Sequence, residues 1–508
     1  ERATRGLSGL LKSLPKPARR LVKPVERGVK MLNKSAQLTD SIFKIFTPFI
    51  LENNPQFLTD HVLNAAQRLS PAEREVLGYP VLDLDWRHYW IDVHMAGLHK
   101  WAFGELDERV SRAKPVTVEQ DLVALLSRAC KEYEYKPAIQ HFTADGVEVT
   151  YTYGDLWQAS RAVAGAAQSS GLLRGDRALL IGPNEPAWPM IYFGLLMADV
   201  TVVPVDHEMA ADEVSRIAET AQAKMIIHHE EWDLIGDGAL AQWPHQSWGE
   251  SLSALPIAEE ELTLSDRSEL LASLLFTSGT TGEPKGVMLS HSNFCSLVAN
   301  LHRVFKVTHR DRFLSVLPLF HTFEFSGGLL MPLSAGAQIT YLSDREGPTL
   351  RRAMREIKPT GIIGIPALWD VLEKRIQSQV SDRGQVAEIL FKASVKLNRR
   401  ARQLGVNLGP TVFKEIHENL GGDIRYLISG GAALKQSSLD VFEGLGFELL
   451  EGYGLTEAAP VLTVRRPGDR RGGGSVGRAL PEVEIKISQP DDQGIGEVIA
   501  RGPTIMQG

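Results

Sequence analysis

The segment from Leu271 to His291 constrains the fold more than any other part of the chain. It begins with an apolar stretch, Leu271–Phe276, that has the length and composition of a buried strand. The run TSGTTGEPKG follows directly, and a helix is predicted to begin near Ser290. The segment therefore predicts a buried strand, a glycine-rich loop and a helix in succession.

The loop has the chemistry of an anion-binding site. Glycines let a backbone turn sharply and direct successive N–H groups inward, while hydroxyl groups add donors and a lysine adds positive charge. These are the groups that the β- and γ-phosphates of a nucleotide require. The predicted phosphate-binding residues are Thr277, Ser278, Gly279, Thr280, Thr281, Gly282 and Lys285. The alternative is a solvated surface turn, which the length and order of the run disfavour.

The order of residues in this loop differs from that of a Walker loop. In a Walker loop the lysine follows the last glycine and precedes Ser or Thr. Here Lys285 precedes Gly286 and Val287. The loop is therefore predicted to belong to another class of nucleotide-binding protein.

Length and composition indicate an ordinary globular protein with several subdomains. The chain has 508 residues, of which 43% are hydrophobic and 23% charged. The net charge of -7 gives no general case for nucleic-acid binding. Two cysteines, Cys130 and Cys295, cannot form a disulfide framework, so a reducing, cytoplasmic location is expected. The longest apolar run, near Ile191–Val205, is interrupted by Asp199 and is too short to span a membrane.

The first 35 residues carry an excess of positive charge. Ten basic side chains stand against Glu1 and Glu26, and the apolar residues after Pro17 recur at helical spacing. A basic amphipathic helix can bind an anionic membrane surface, which suggests peripheral contact with the inner face of a membrane. A helix that docks on the next domain and leaves its basic face in water is an equal alternative.

Residues 36–115 are predicted to be mostly helical and are rich in aromatic side chains. His88, His94 and His99 do not have metal-binding spacing, and such histidines are more often packed or surface residues than ligands. From residue 116 the pattern changes to alternating helices and strands. The predicted elements are a helix over Val118–Cys130, strands over Val149–Tyr153, Arg177–Gly182, Thr201–Asp206, Met225–His228, Arg312–Leu317, Ala337–Leu342 and Gly361–Pro366, and helical segments up to Asn419. This alternation predicts an α/β fold with largely parallel sheets packed by helices.

A second informative segment extends from Arg425 to Thr463. It predicts a strand, a helix near Gln436–Leu445, and a second strand that ends in EGYG. In an open parallel sheet, ligands bind at the carboxyl ends of the strands. Glycine-bearing turns follow both strands, which makes candidate ligand-binding residues of Gly430, Gly431, Ala432, Gly452, Tyr453, Gly454, Thr456 and Glu457.

These motifs resemble those of the adenylate-forming superfamily. The run TSGTTGEPKG resembles its phosphate-binding signature, and ISGGAAL, EGYGLTEAAPV and GSVGRALPEVEIKI resemble long-chain fatty acyl-CoA ligases. The resemblance covers residues 118–508 and implies an acyl-CoA synthetase-like large domain, preceded by a mostly helical segment. The expected organisation is a basic segment at 1–35, a helical region at 36–115 and an AMP-binding domain at 116–508, without the family's C-terminal lid.

The resemblance also implies roles for individual residues. Lys285 and Thr456 would contact phosphate, Tyr453 would stack on adenine, and Glu457 would hold Mg²⁺, a cation that prefers carboxylate oxygen. His321, in PLFHTFEFSGG, matches a position near the mouth of the acyl tunnel. The alternatives are a packed histidine and, for Glu457, a carboxylate that interacts with a helix dipole.

The implied reaction uses ATP, Mg²⁺, a long-chain fatty acid and CoA. The fatty carboxylate would be converted into an acyl-adenylate and then transferred to the CoA thiol. Two alternatives remain: transfer to the thiol of a carrier protein within a multidomain lipid-synthesis enzyme, and a nucleotide- or acyl-binding module without catalysis. Within residues 36–115, the run FTPFILENN followed by DWRHYWIDVHMAGLHKWAF also resembles the tail of NAD(P)H-dependent fatty acyl reductases, which would suit such a fusion.

Overall fold

The computed structural model describes residues 68, 70, 119–236, 238–248, 266–278, 284–344, 346–469 and 474–508. The chain divides into two units, residues 1–112 and 113–508, and all but two of the described positions belong to the second unit. The predicted helices and the membrane contact of residues 1–35 and 36–115 lie outside the described residues, apart from those two isolated positions. These features and the predicted domain boundaries stay predictions. No helix in the described ranges is both long and apolar enough to cross a bilayer.

The described residues form strands and helices that alternate along most of the chain. The strands are β1 (Pro137–Thr143), β2 (Gly146–Thr152), β3 (Arg177–Ile181), β4 (Thr201–Val205), β5 (Met225–His229), β6 (His245–Trp248), β7 (Leu271–Ser278), β8 (Pro284–Ser290), β9 (Arg312–Ser315), β10 (Gln338–Leu342), β11 (Gly361–Gly364), β12 (Tyr426–Ser429), β13 (Leu449–Gly454), β14 (Val461–Val464), β15 (Arg478–Ala479), β16 (Glu484–Ser488) and β17 (Glu497–Arg501). The helices are α1 (Leu122–Tyr133), α2 (Tyr153–Ser169), α3 (Ala187–Met197), α4 (Ala211–Ala221), α5 (His291–Val304), α6 (Thr322–Glu324), α7 (Met331–Ser334), α8 (Gly347–Ile357), α9 (Pro366–Ser381), α10 (Gln385–Gln403), α11 (Gly409–Val412), α12 (Lys414–Asn419) and α13 (Gln436–Leu445). A π-helix, Phe325–Leu330, joins α6 to α7, and Thr456–Ala458 forms a 3₁₀ turn.

Nine of the described strands form one sheet, in the order β15-β14-β13-β12-β11-β9-β10-β1-β2. The strands from β13 to β1 run parallel, whereas β2 at one edge and β14 and β15 at the other are antiparallel to their neighbours. Gly364 pairs with Ser429, and Ser429 pairs with Glu451. Three neighbouring strands therefore end at one edge of the sheet, where their following turns meet.

A second sheet contains six described strands in the order β6-β5-β3-β4-β7-β8. Its strands are parallel except for β8, which forms an antiparallel hairpin with β7. The predicted mixed α/β fold with parallel sheets is confirmed. Strands β16 and β17 form a separate two-stranded ribbon.

Strand β8 differs from the prediction, in which the glycine-rich loop led directly into a helix. Val287 and Leu289 are buried, whereas Gly286 and Met288 between them are only partly buried. This two-residue alternation is the pattern of a strand with one buried face. The predicted helix begins where expected, because the Ser290 side chain accepts a hydrogen bond from the backbone N–H of Asn293 and caps α5.

One apolar core joins the two sheets through the helices between them. Helix α3 is buried almost all round, and its residues belong to the same cluster as Leu180 of the six-stranded sheet and Ile339 of the nine-stranded sheet. Capping residues fix the helix ends nearby. The Asp121 carboxylate accepts a hydrogen bond from the N–H of Ala124, so α1 begins four residues later than predicted.

Candidate active site

The described residues of the predicted phosphate loop lie at the paired ends of β7 and β8. Thr277 pairs with Lys285, and Ser278 pairs with Pro284, so the described parts of the loop face each other across the hairpin. Lys285 is exposed. Gly279, Thr280, Thr281 and Gly282 lie outside the described residues, and their predicted contacts with phosphate stay predictions.

The two other predicted turns lie side by side at the end of the nine-stranded sheet. Gly430 and Gly431 follow β12, and Gly452–Gly454 end β13, its neighbour. The Gly430 N–H donates a hydrogen bond of 3.2 Å to the Gly364 carbonyl oxygen at the end of β11. A methyl group on Gly430 would come within 2.8 Å of the Phe323 ring, so only glycine fits at this point.

A cavity of about 560 Å³ opens where these turns meet α6. Outside the β7–β8 hairpin, most of the predicted site residues that the structure describes line this cavity. The predicted residues that line it are His321, Gly430, Gly431, Gly452, Tyr453, Gly454 and Thr456. Lys285, Thr277, Ser278, Ala432 and Glu457 are not among its lining residues. We call this space the candidate cavity.

The rest of the candidate cavity is largely hydrocarbon. The lining side chains come from α5, from the α6–α7 segment and from β11 and β12, and the larger ones are Leu301, Phe305, Met331, Ile363, Ile365 and Ile428. Apolar walls with a few polar groups at one end are typical of small-molecule sites. Sequence reasoning identified the strand over Gly361–Pro366 but missed its contribution to this wall, because a buried strand shows no outward sign of which cavity it borders.

His321 stands immediately before α6, with its ring 4.4 Å from that of Phe320, centroid to centroid. Partial burial lowers its pKa from the usual value, and the nearby Asp206 carboxylate acts in the opposite direction. A lowered pKa leaves the imidazole neutral at pH 7. The residue can therefore contribute a hydrogen bond at the cavity wall without adding a charge to it.

Tyr453 presents a partly free ring to the candidate cavity. The side chain is 39% exposed, and the aromatic contacts within the described residues leave its ring unstacked. The adjacent Gly454 lies so close to the Pro460 carbonyl oxygen that an added methyl carbon would be 1.7 Å from it. Close packing of the backbone on one side and an open ring on the other suit a planar ligand that lies against Tyr453.

The C-terminal residues connect the hairpin to the turn that contains Glu457. The N–H of Met506 donates a hydrogen bond of 2.8 Å to the Glu457 carbonyl oxygen. The next two residues, Gln507 and Gly508, form backbone hydrogen bonds with Met288 of β8. The 3₁₀ turn also contacts β8 directly. Two motifs that are about 170 residues apart in the sequence are therefore neighbours in the fold.

Asn184 is a positioning residue that the sequence did not reveal as such. Its side-chain N–H donates a hydrogen bond of 2.6 Å to the Leu317 carbonyl oxygen, and its side-chain oxygen accepts one of 2.9 Å from the Leu319 N–H. Asn184 follows β3 of the six-stranded sheet, whereas Leu317 follows β9 of the nine-stranded sheet. The amide therefore fixes the segment that leads to His321.

A metal ion at this site would need ligands from the nucleotide. Within the described ranges no group of three or more His, Cys, Asp or Glu residues is placed to hold a metal. Glu457 is half-buried in the 3₁₀ turn beside β8. One carboxylate together with phosphate oxygens suits Mg²⁺, which commonly binds through one or two carboxylates and substrate phosphates.

The model of a protein family described as AMP-binding enzyme matches residues 126–508. The chain belongs to this family. The match covers most of the second unit, including both glycine-bearing turns and the hairpin. The predicted membership of the adenylate-forming superfamily is thereby confirmed. The roles of individual residues stay predictions, as does the resemblance of residues 36–115 to fatty acyl reductases, which lies before the matched range.

Curated relatives of this AMP-binding chain include several acyl-CoA ligases. It is 26% identical over 459 residues to the long-chain-fatty-acid–CoA ligase heimdall of Drosophila melanogaster, covering 81% of this chain and 67% of the relative. It is 32% identical over 257 residues to long-chain-fatty-acid–CoA ligase 2 of Schizosaccharomyces pombe, covering 46% of this chain and 37% of the relative. For the peroxisomal long chain acyl-CoA synthetase 7 of Arabidopsis thaliana the identity is 27%, with coverages of 70% and 56%. The chain thus spans between about a third and two thirds of the length of these relatives.

Solved structures of low sequence identity share the fold of this AMP-binding chain. The N-terminal domain of FACL13 from Mycobacterium tuberculosis superposes with a TM-score of 0.60 at 20% identity, covering 76% of this chain and 90% of that domain. The anthranilate CoA ligase AuaEII in complex with anthranoyl-AMP gives a TM-score of 0.61 at 21% identity, with coverages of 78% and 71%. At this level of identity the likeness concerns the fold alone.

Proposed function

We propose that this chain is the adenylation domain of a ligase that activates long-chain fatty acids and transfers them to CoA. The observation that carries the proposal is the candidate cavity, where apolar walls meet two glycine-bearing turns and the free ring of Tyr453. The apolar part suits an alkyl chain, and the turns suit a nucleotide. The curated relatives named as long-chain fatty-acid–CoA ligases support the same activity.

The proposed reaction has two steps. A carboxylate oxygen of the fatty acid attacks the α-phosphorus of ATP, an oxygen–phosphorus bond forms, and pyrophosphate leaves. The thiol sulfur of CoA, after loss of its proton, then attacks the acyl carbon, and AMP leaves. No covalent bond to the protein is required, so the protein contributes alignment and charge stabilisation.

The residues of this chain would divide these tasks between them. The backbone of Gly430 and Gly431 would approach the nucleotide closely, and Tyr453 would stack on adenine. Lys285, with the hydroxyl of Thr456, would bind the phosphates and the leaving pyrophosphate. Glu457 would hold Mg²⁺, which supplies charge neutralisation of the phosphates when it is bound. The neutral His321 would border the entrance of the alkyl chain.

The proposal can be tested through the stacking role of Tyr453. Dodecanoyl sulfamoyl adenosine, a stable mimic of the acyl-adenylate, is titrated into the full chain by calorimetry. The substitution Tyr453→Ala should weaken its binding about tenfold or more, because stacking of a base on an aromatic ring contributes about 1–3 kcal/mol. The matched control is Tyr135→Ala, since Tyr135 is 86% exposed and does not line the cavity.

Exchange of labelled pyrophosphate into ATP provides the functional readout. Exchange that depends on dodecanoate and falls in Tyr453→Ala supports adenylation, and a later dependence on CoA or on a carrier protein identifies the acceptor. Equal binding of the mimic by wild type, Tyr453→Ala and Tyr135→Ala would show that its nucleotide part does not bind in the candidate cavity. Exchange without dependence on a fatty acid would reject the proposed substrate.

A further inference from the structure

A second cavity, of about 530 Å³, lies away from the candidate cavity. It is formed by α8, α9 and the end of α12. Its floor is apolar and consists of Leu350, Met354, Leu372, Ile376, Ile416 and Leu420. Helix α9 begins directly after Ile365, which lines the candidate cavity, and reaches the second cavity a few turns later. The two spaces have no lining residue in common and are therefore separate sites.

The rim of the second cavity is strongly basic. Four arginines line it, Arg351, Arg352, Arg355 and Arg375, together with a single acidic residue, Glu356. We call this space the arginine cavity. An apolar floor under a positively charged rim is complementary to a molecule that has a hydrocarbon chain and an anionic head.

Two of the four arginines are occupied by the protein itself. The Arg352 guanidinium donates a hydrogen bond of 2.7 Å to the Glu356 carboxylate and another to the Ala144 carbonyl oxygen. Arg355 donates one of 2.7 Å to the side-chain oxygen of Asn419. The only acidic group on the rim among the described residues is therefore already paired.

The other two arginines, Arg351 and Arg375, have neither a hydrogen bond nor an ion pair with any described residue. Arg351 is exposed, but Arg375 is half-buried. A guanidinium in a partly dry position is better stabilised when an anion pairs with it. The rim thus offers two positive charges that no described residue pairs, above an apolar floor.

Packing restricts the position of the Arg375 guanidinium. A methyl group on Gly347, the first residue of α8, would lie 2.6 Å from one of its terminal nitrogens and 3.0 Å from the other. The planar group therefore lies against the backbone at the start of α8. Arg351 lies one turn further along the same helix. A head group held between the two arginines would sit at the start of α8.

We propose that the arginine cavity binds a free single-chain amphiphile whose head is a phosphate monoester. A phosphate monoester carries a charge of about −2 at pH 7.5 and three strong acceptor oxygens. It thus matches two guanidinium groups that have no partner among the described residues, each of which can donate two parallel hydrogen bonds to phosphate. A fatty carboxylate has a single charge and matches one of them. The alkyl chain would cover the apolar floor.

Dodecyl phosphate is the probe for this site, used below its micellar concentration in calorimetric titrations at pH 7.5. The double substitution Arg351→Gln and Arg375→Gln should raise the Kd about 30-fold or more, since both charged donors are lost. The matched control is Arg216→Gln with Arg400→Gln, which removes the same charge from exposed arginines outside the cavity and should change the Kd less than about threefold. The double substitution Arg351→Lys and Arg375→Lys should give an intermediate loss of affinity, because lysine keeps the charge but loses the bidentate geometry.

The head group can be varied independently of the protein. Dodecanoate should bind at least about tenfold more weakly than dodecyl phosphate, and dodecyltrimethylammonium should not compete with it. Equal binding of dodecyl phosphate by wild type and the Gln pair would overturn the proposal, as would an equal loss in the control pair. Binding to phosphatidate vesicles without binding of free dodecyl phosphate would overturn the proposal. The ligand of the arginine cavity would then be a membrane surface and not a free amphiphile. Thermal unfolding of each variant tests whether the protein with Arg351→Gln and Arg375→Gln remains folded.

The proposal does not rest on the proposed ligase activity. Binding of dodecanoyl sulfamoyl adenosine should be unchanged in the Gln pair, because neither arginine lines the candidate cavity. Binding of dodecyl phosphate should likewise be unchanged in Tyr453→Ala. Wild-type protein that binds dodecyl phosphate but does not bind dodecanoyl sulfamoyl adenosine would reject the proposed ligase activity and leave the arginine-cavity proposal standing.

Discussion

The candidate cavity and the arginine cavity have nearly the same volume, about 560 and 530 Å³, but present different chemistry. The first is shaped at its polar end by backbone, with Gly430, Gly452 and Gly454 in its wall. The second is shaped by side chains, with four arginines on its rim. Cavity size therefore does not determine the ligand. The groups at the polar end do, and backbone and side-chain sites respond to mutation in different ways.

The largest expected effect concerns the backbone of the candidate cavity. Gly454→Ala should lower the free energy of unfolding by about 3 kcal/mol, because its methyl carbon would lie 1.7 Å from the Pro460 carbonyl oxygen and the backbone must move. It should also abolish binding of the acyl-adenylate mimic while dodecyl phosphate still binds the arginine cavity. Urea unfolding and calorimetry measure the two effects.

Gly452→Ala is the matched control for this prediction, in the same strand. Its methyl carbon would meet no atom closer than the Thr463 carbonyl oxygen at 3.5 Å, an ordinary contact. The free energy of unfolding should therefore change by less than about 1 kcal/mol. Similar losses for both substitutions would show that neither glycine position tolerates a methyl group and that the close approach to Pro460 is not the cause.

A smaller change in the free energy of unfolding is expected when the pH is lowered. This change concerns the whole fold and should therefore affect both cavities. Burial lowers the pKa of His291 to about 3, with Arg267 acting in the same direction, and the neutral Nδ1 accepts a hydrogen bond from the Leu122 N–H. The histidine is thus neutral in the folded protein and becomes protonated in the unfolded chain below its usual pKa of about 6.5. Stability is fully present above pH 6.5 and decreases as the pH falls toward 3. At pH 5 the loss should be about 2 kcal/mol.

Urea unfolding at pH 7 and pH 5 measures this loss. His291→Gln should reduce the difference between the two pH values, since glutamine can still accept the hydrogen bond but does not titrate. His245→Gln, at an exposed position, should leave the difference unchanged. An unchanged pH dependence in His291→Gln would show that other groups cause it. The first to examine is the half-buried His302, whose pKa is lowered to about 4 by desolvation.

The smallest expected effect should again change ligand binding in one cavity and leave binding in the other unchanged. Asn184→Ala removes two hydrogen bonds to the segment before His321 and should lower the free energy of unfolding by about 1 kcal/mol. The looser segment should weaken binding of the acyl-adenylate mimic about threefold and leave dodecyl phosphate unaffected. Gln140→Ala, which removes an exposed hydrogen bond to Thr150 at the far edge of the sheet, is the control. A weakened arginine cavity in Asn184→Ala would show that the two sites are coupled.

The polar end of the candidate cavity was largely predictable because two short runs of sequence supply most of it. The runs ISGG and EGYGLT lie directly after apolar strands, and parallel strands bring such turns to one edge. The apolar wall was not predictable, since Leu301, Phe305 and Ile363 come from different elements and look like ordinary core residues. The arginines on α8 and α9 likewise resemble the solvated faces of two helices when they are read along the chain.

Local signals also explain which boundaries could be predicted. The helix predicted near Gln436–Leu445 is confirmed as α13, which ends before Gly446, in the left-handed conformation with φ of 101°. The hairpin was missed because Pro284 and Gly286 are typical of a loop, and their pairing with β7 depends on an apolar partner strand.

The sequence by itself determined the family, the alternation of strands and helices, and the turns that carry glycine. These features depend on neighbouring residues, through periodicity, capping and backbone conformation. The tertiary structure decided which distant segments meet: the contact of β8 with the turn at Glu457, the amide of Asn184 across two sheets, and the four arginines around one apolar floor. Such contacts depend on the packing of separate elements, which no single stretch of chain specifies.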